Sequence, residues 1–173
     1  DFRGTSYDAN GTPGGTAGSN NAVVSIQMPV DADASTLYWS NAIGSGIDSG
    51  STGCPLLVDG VLIVCAGDMI CRVDPVSGEI LTKAKMDRAS SFSITPPAYA
   101  NGMVFVGLSD GTIQAFNAET LQSLWIYHDP LEGQPNSPIT VCGDYLYTGF
   151  WRSEESPANF VCLSITDEDP ART

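Results

Sequence analysis

The sequence holds one histidine, His128, followed directly by Asp129 and Pro130. An imidazole beside a carboxylate is the smallest set able to move a proton. No serine or cysteine is placed by the sequence to complete a nucleophile–histidine–aspartate arrangement. His128 therefore reads as a solvated loop residue, and no catalytic group is expected. Five cysteines, Cys54, Cys65, Cys71, Cys142 and Cys162, form no C-x-x-C pair. With a single histidine they complete no zinc set, so no metal site is expected. The acidic run Asp167, Glu168 and Asp169 could ligate calcium, but it lacks the spaced Asp-x-Asp-x-Asp-Gly pattern and reads as a turn. The remaining chemistry lies in residues 150–159, where Trp151, Arg152, Glu154 and Glu155 combine an aromatic ring with charges of both signs. Such a set suits binding; the plainer reading is that Phe150 and Trp151 pack the segment down.

Acidic side chains outnumber basic ones 20 to 7, for a formal charge of −13. A surface of that sign repels phosphate backbones, so no nucleic-acid partner is expected. It suits solubility, cationic partners or calcium. A chain of 173 residues can bury a core of its own. No apolar run approaches the roughly 18 residues of a membrane-spanning helix. The first residues show no charged n-region followed by an apolar h-region, so a signal peptide, where one exists, is expected to have been removed.

The elements that must position these groups emerge from an internal repeat. Residues 55–82 read PLLVDGVLIVCAGDMICRVDPVSGEILT and residues 97–125 read PAYANGMVFVGLSDGTIQAFNAETLQSLW. A third copy opens at Pro138 as PITVCGDYLYTGFW and resumes, after an insertion, as FVCLSITDEDP. The proline recurs at Pro55, Pro97 and Pro138, and a turn glycine at Gly60, Gly102 and Gly143, in steps of 42 and 41 residues. A period near forty built of short strands indicates propeller blades. Each unit starts with a short apolar strand and a tight turn such as Asp59-Gly60 or Asn101-Gly102, residues that accept the positive φ of a two-residue hairpin. Second strands are expected over 61–64, 103–106 and 145–148, and third strands over 70–73, 113–116 and 160–164. Fourth strands end near Thr82 and Trp125. No stretch shows helical periodicity, and the fold class is all-β.

The unit of apolar strand, Asp/Asn-Gly turn, Val-rich strand, Asp-Gly turn, a strand ending in A-x-D/N, and then x-T-G-x-x-x-W resembles the PQQ-like repeat. Ala115, Asn117, Thr120 and Trp125 carry it in the second copy. Asp74 and Gly78 carry it in the first, where Thr82 stands in place of the tryptophan. Phe2-Arg3-Gly4 is similar to the opening of such propellers, and Leu37-Tyr38-Trp39 resembles the outer strand of a preceding blade. The resemblance covers roughly residues 36–170. It implies a partial β-propeller of about three four-stranded antiparallel blades, with Trp39 and Trp125 packing between neighbours. The expected layout is an irregular lead-in over 1–35 with an extra strand over 22–28, then an outer strand of a preceding blade over 36–53. Blades over 54–94 and 95–136 and an incomplete blade over 137–173 follow.

Three blades do not close a ring, which usually needs four to eight. Either the chain is a piece of a longer propeller or copies associate through their apolar end faces. The insertion 150–159, the connection 128–136 and the connection 86–95 are expected on one face. Loops on a rigid scaffold are where binding residues concentrate. Phe150, Trp151, Arg152, Glu154, Glu155, His128 and Asp129 are thus the candidate binding residues.

The resemblance extends to quinoprotein alcohol dehydrogenases and to non-enzymatic outer-membrane assembly propellers. The dehydrogenases of this family hold PQQ and calcium with a catalytic aspartate and a disulfide between adjacent cysteines; no Cys-Cys pair occurs here. The expectation is a non-catalytic binding or scaffold module, without cofactor, of an exported or cell-surface bacterial protein that contacts protein or glycan. The alternative is a fragment of a PQQ-dependent dehydrogenase whose cofactor site lies outside this chain. One geometric expectation concerns thiols. A two-residue turn at Asp59-Gly60 sets Val58 against Val61 and Cys54 against Cys65, ~4.5–5.5 Å apart at Cα and within disulfide reach. Cys71 on the next strand is also near Cys65, and buried free thiols are the other reading.

Overall fold

The computed structural model describes residues 37–43, 54–90 and 95–166. The lead-in over 1–35, its strand over 22–28 and the acidic run over 167–169 lie outside the described residues. The chain divides into two compact units, Asp1–Leu37 and Tyr38–Thr173, and the fold below is that of the second. Among the described residues its elements are all strands: β1 (Leu56–Val58), β2 (Val61–Ala66), β3 (Met69–Val73) and β4 (Ile80–Lys85) in the first blade, and β5 (Ala98–Ala100), β6 (Met103–Leu108), β7 (Thr112–Asn117) and β8 (Ser123–His128) in the second. The third blade holds β9 (Thr140–Cys142), β10 (Tyr145–Gly149) and β11 (Phe160–Ser164). Among the described residues every strand pairing joins sequence neighbours, giving two four-stranded meanders and one of three strands. This is the partial propeller that the repeat implies. Among the described residues no helix is long and apolar enough to cross a membrane.

Turn chemistry sets the registers. Asp59 and Gly60 take φ of +48° and +79°, and Asn101 and Gly102 take +51° and +75°. Two successive left-handed residues form the turn whose twist matches a hairpin. Val58 pairs with Val61 and Ala100 with Met103, as that turn requires. The third blade departs from the sequence reading by one residue. Gly143 (φ +59°) is the first turn residue and Asp144 the second, because Cys142 pairs with Tyr145. Gly143 therefore corresponds to Asn101 rather than Gly102, and the turn-to-turn step is 42 at both intervals. Glycine serves at either central position of such a turn, so its spacing alone does not fix the register.

Alternation sends one set of side chains from each sheet to each neighbour. Ile63 and Ile70 of the first blade pack with Val104, Val106, Leu108 and Phe116 of the second. Phe105, Ile113, Ala115 and Trp125, on the other face of the second blade, pack with Leu146, Leu163 and Ile165 of the third. Turns between third and fourth strands are closed by side chains. Asp74 Oδ1 accepts the N–H groups of Ser77 at 2.7 Å and Val76 at 2.8 Å, and Asn117 Oδ1 accepts those of Glu119 and Thr120 at 2.9 Å. This Asx geometry explains the A-x-D/N position of the repeat, and the Ser77 N–H foremost holds the Asp74 carboxyl below its ordinary range.

The tryptophan of the repeat has a steric counterpart. Trp39 lies on Gly78 so closely that a Cβ there would meet its ring at 2.5 Å. Its Nε1 donates to the carbonyl of Pro75 at 3.0 Å, and Asn41 Nδ2 donates to that of Gly78. In the second blade the matching position is Leu121, also left-handed at φ +57° and buried. There the preceding blade offers Thr82 in place of tryptophan. Leu121 is buried in the cluster that joins the first and second blades.

All five cysteines are free thiols. The β1–β2 ladder ends at Leu56 and Ile63, Cys54 is exposed, and Cys65 pairs with Ile70 on β3. Burial pushes the Cys65 thiol up to about 12 and raises that of Cys71 as well.

Candidate functional site

The insertion and the connection that follows the second blade meet, as the turn parity of an antiparallel blade dictates. Trp151 and Gln134 form an isolated bridge: Gln134 N donates to Trp151 O at 2.6 Å and Trp151 N to Gln134 O at 2.8 Å. Gly133 passes under this bridge, where an added Cβ would meet Phe150 Cβ at 2.7 Å. Asn159, at the far end of the insertion, returns its backbone carbonyl to Phe150 N at 3.0 Å and its Nδ2 to Asp129 Oδ1 at 2.7 Å. The loop is thus held at both ends.

The seven sequence-designated residues divide into two groups. Phe150 is buried among Leu146, Leu163 and Trp125 and serves the core. Asp129 is also buried, and its carboxylate collects Tyr127 Oη at 3.1 Å, Leu131 N at 3.0 Å and Asn159 Nδ2. It organises the site from beneath. Burial foremost, then the Asp129 charge, pushes the Tyr127 phenol up to about 12. Trp151 is half exposed, and Arg152, Glu154 and Glu155 are exposed beside it. Arg152 reaches back to the carbonyl of Pro157 at 3.4 Å, a long contact.

His128 lies at the end of β8, more than half exposed, with Nδ1 3.0 Å from Thr112 Oγ1 and Nε2 3.7 Å from Asp87 Oδ2. The order threonine, imidazole, carboxylate has the outline of an activated nucleophile. Thr112 is fully buried, however, so no substrate reaches its hydroxyl. Arg88, 3.2 Å from Asp87 and 3.8 Å from Asp110, completes a surface ion network. Arg88, Asp110, His128, Pro130 and Glu132 rim a shallow depression of about 450 Å³ beside the insertion. Sequence reasoning missed Arg88 and Asp110; the 86–95 connection was in view, but nothing in it announced an ion pair with the next blade.

One further tie was not legible. Thr95 Oγ1 donates to the carbonyls of Pro135, at 2.5 Å, and Ser137, at 3.1 Å, and Thr148 Oγ1 reaches the same Ser137 carbonyl at 3.1 Å. Successive connections on this face are therefore bolted to one another by buried threonines.

Residues 24–155 match the family described as outer membrane protein assembly factor BamB. The outer membrane protein assembly factor BamB of Burkholderia pseudomallei (strain K96243) is 29% identical over 137 residues, which are 74% of this chain and 32% of that protein. BamB from Moraxella catarrhalis superposes with a TM-score of 0.53 at 14% identity, covering 70% of this chain and 37% of its own. A europium-containing methanol dehydrogenase gives 0.58 at 19%, covering 73% and 26%. The quinohemoprotein alcohol dehydrogenase ADHIIG from Pseudomonas putida HK5 gives 0.60 at 18%, covering 75% and 21%. At such identities the structures establish the fold alone. The chain spans about a third of the curated relative's length.

The sequence holds no adjacent cysteines, and among the described residues no three His, Cys, Asp or Glu side chains gather to hold a metal ion. The repeat, the three blades and the match over most of the sequence converge: the chain belongs to the BamB family of PQQ-like-repeat propellers.

Proposed function

We propose that this chain is part of a non-catalytic β-propeller of an exported bacterial envelope protein, and that it binds another protein through the face formed by residues 150–159 and 128–136. One observation carries the reading: an insertion tethered at both ends presents a half-exposed Trp151 with Arg152, Glu154 and Glu155 exposed around it. A rigid aromatic ringed by charge is the composition of a binding hot spot. A loop already ordered loses little entropy on binding. The family name, outer membrane protein assembly factor, agrees with a role in protein contacts at the envelope. The charge of −13 favours a partner with a basic surface. No cofactor enters the proposal.

The test is a photo-crosslinking amino acid at position 151 in the producing bacterium, with position 76 on a distant turn as control. A discrete protein adduct at 151 and none at 76 supports the reading. Carbohydrate adducts alone point to glycan binding instead, and no adduct at 151 refutes the site.

A further inference from the structure

The first and second blades meet along a cleft on the face opposite Trp151, the face that carries the turns between first and second strands and between third and fourth. Its volume is about 360 Å³, and it is lined by Asp59, Ile63 and Arg72 of the first blade and by Tyr99, Asn117 and Glu119 of the second. That volume lies within the roughly 300–1,000 Å³ of small-ligand sites, at the lower end. Arg72 pairs with Ile63, and Tyr99 with Val104. Ile63 and Val104 belong to the core between these two blades, so Arg72 and Tyr99 stand on the sheet faces that look at each other across the cleft. Both walls are surfaces that one blade turns to the next, not faces at either end of the fold.

Two of these residues depart from the repeat. Arg72 stands two residues before Asp74, where the second copy has Ala115 two residues before Asn117. Tyr99, two residues before its hairpin turn, corresponds to Leu57 and Val141. A blade needs neither an arginine nor an aromatic ring at these places, yet the two departures face one cleft. The guanidinium is held from the opposite wall: Arg72 Nη1 donates to the Glu119 carbonyl at 2.7 Å. Its Nε is shut from solvent and has no partner, a donor that the fold leaves unsatisfied. Asn117 is fixed as well, because its Oδ1 accepts the Glu119 and Thr120 N–H groups, which leaves Nδ2 as its donor. Asp59 and Glu119 are exposed, and Tyr99 is 42% exposed. Among the described residues Arg72, Asp59 and Glu119 enter no ion pair.

We infer that this cleft is a binding site for a neutral saccharide. Charge disfavours the other classes. An anionic ligand meets the carboxylates of Asp59 and Glu119, and a cationic one meets a guanidinium that no carboxylate neutralises. A sugar hydroxyl is donor and acceptor at once, so one ring donates to Asp59 and Glu119 while it accepts from Arg72 and Asn117. The C–H face of a pyranose is apolar and lies against an aromatic ring, the role of Tyr99. The Glu119 tether and the closed 117–121 turn hold these groups in place before a ligand arrives, so little ordering is lost on binding. This cleft is separate from the surface around Trp151, and either proposal can fail alone.

Saturation-transfer NMR of the full chain with glucose, N-acetylglucosamine, maltose and cellobiose tests the inference, followed by titration of the sugar that binds most tightly. At least one should bind, and added salt should leave its affinity unchanged, because the ligand carries no charge to screen. Arg72→Ala and Tyr99→Leu restore residues that other copies of the repeat use, so both should fold, with circular dichroism unchanged. Each should weaken binding about tenfold or more, the effect of losing one hydrogen bond to a charged group or one stacked ring. Asp144→Asn, at an exposed turn of the third blade on the same face, should leave the affinity as it was. Binding by none of the four sugars, or affinity that survives either cleft variant, overturns the inference. A preference for glucuronate or for a trilysine peptide over the neutral sugars overturns it too.

Discussion

Replacing Gly78 by alanine separates what a backbone angle requires from what a docked tryptophan requires. Gly60, Gly78 and Gly102 all take φ near +75°, and alanine in that region costs roughly 1–2 kcal/mol wherever it is placed. At Gly60 and Gly102 an added Cβ meets nothing within 4 Å. At Gly78 it meets three carbons of the Trp39 ring at 2.5–2.7 Å, closer than contact allows, so the indole must leave its seat. A part-buried tryptophan of this kind loses about 2 kcal/mol of apolar burial, and its Nε1 bond to Pro75 contributes about 1 kcal/mol more. The expected destabilisation is about 4–5 kcal/mol for Gly78→Ala against about 1–2 for Gly102→Ala. Urea unfolding followed by tryptophan fluorescence measures both, and the native spectrum of Gly78→Ala should shift to the red as Trp39 becomes wet. Equal losses at the two glycines would refute the docking argument and leave only the backbone term.

The same steric logic predicts a coupling in the second blade: Leu121→Gly alone should cost about 1–3 kcal/mol, the cavity it opens less the backbone strain that glycine relieves at a left-handed position, and adding Thr82→Trp should recover at least about 1 kcal/mol in a double-mutant cycle. Asp129→Ala strands Tyr127, Asn159 and the Leu131 N–H together, so it should destabilise by about 2–4 kcal/mol and speed proteolysis of residues 150–159; unchanged proteolysis contradicts the tether. Trp151→Ala, half exposed, should leave stability within about 0.5 kcal/mol while weakening capture of the partner found by crosslinking about tenfold or more. The folded-state pKa of Tyr127 is raised above the unfolded value near 10, so the neutral phenol favours the fold. That contribution is fully present below pH 10 and declines as pH rises towards 12; Tyr127→Phe should flatten stability across this window. Iodoacetamide should label Cys54, Cys142 and Cys162 in the native protein at neutral pH, Cys65 more slowly because its thiol is held protonated, and Cys71 only in denaturant; native labelling of Cys71 contradicts the burial.

The blades were legible because each is specified locally: alternating apolar residues, a dipeptide that accepts positive φ, and an aspartate or asparagine that closes the next turn. Gly143 shows the limit. A glycine suits either centre of a two-residue turn, so counting glycines displaced the third copy by one position, and only strand pairing restores it. Leu121 was illegible for another reason. It takes the left-handed backbone that glycine takes at Gly78, and it is buried in a cluster that spans two blades, so neither its angle nor its partners show in local sequence. In the candidate site, parity of turns brought 128–136 and 150–159 to one face. It could not tell that Phe150 and Asp129 point inward while Trp151 points out, because the alternation of a strand ceases where the insertion begins. The Thr95 and Arg88 contacts join separate blades and have no periodic signature.

The bridge between Trp151 and Gln134 has a mechanical consequence. The insertion leaves the middle of the third blade, but Gln134 belongs to the covalent span between the second blade and the third, and Thr95 grips that span from the blade before. A pull on Trp151 is therefore not absorbed within one sheet; it is shared by the junctions of three. Whatever grips that ring tugs on the spacing of the blades, and any change in that spacing moves the ring.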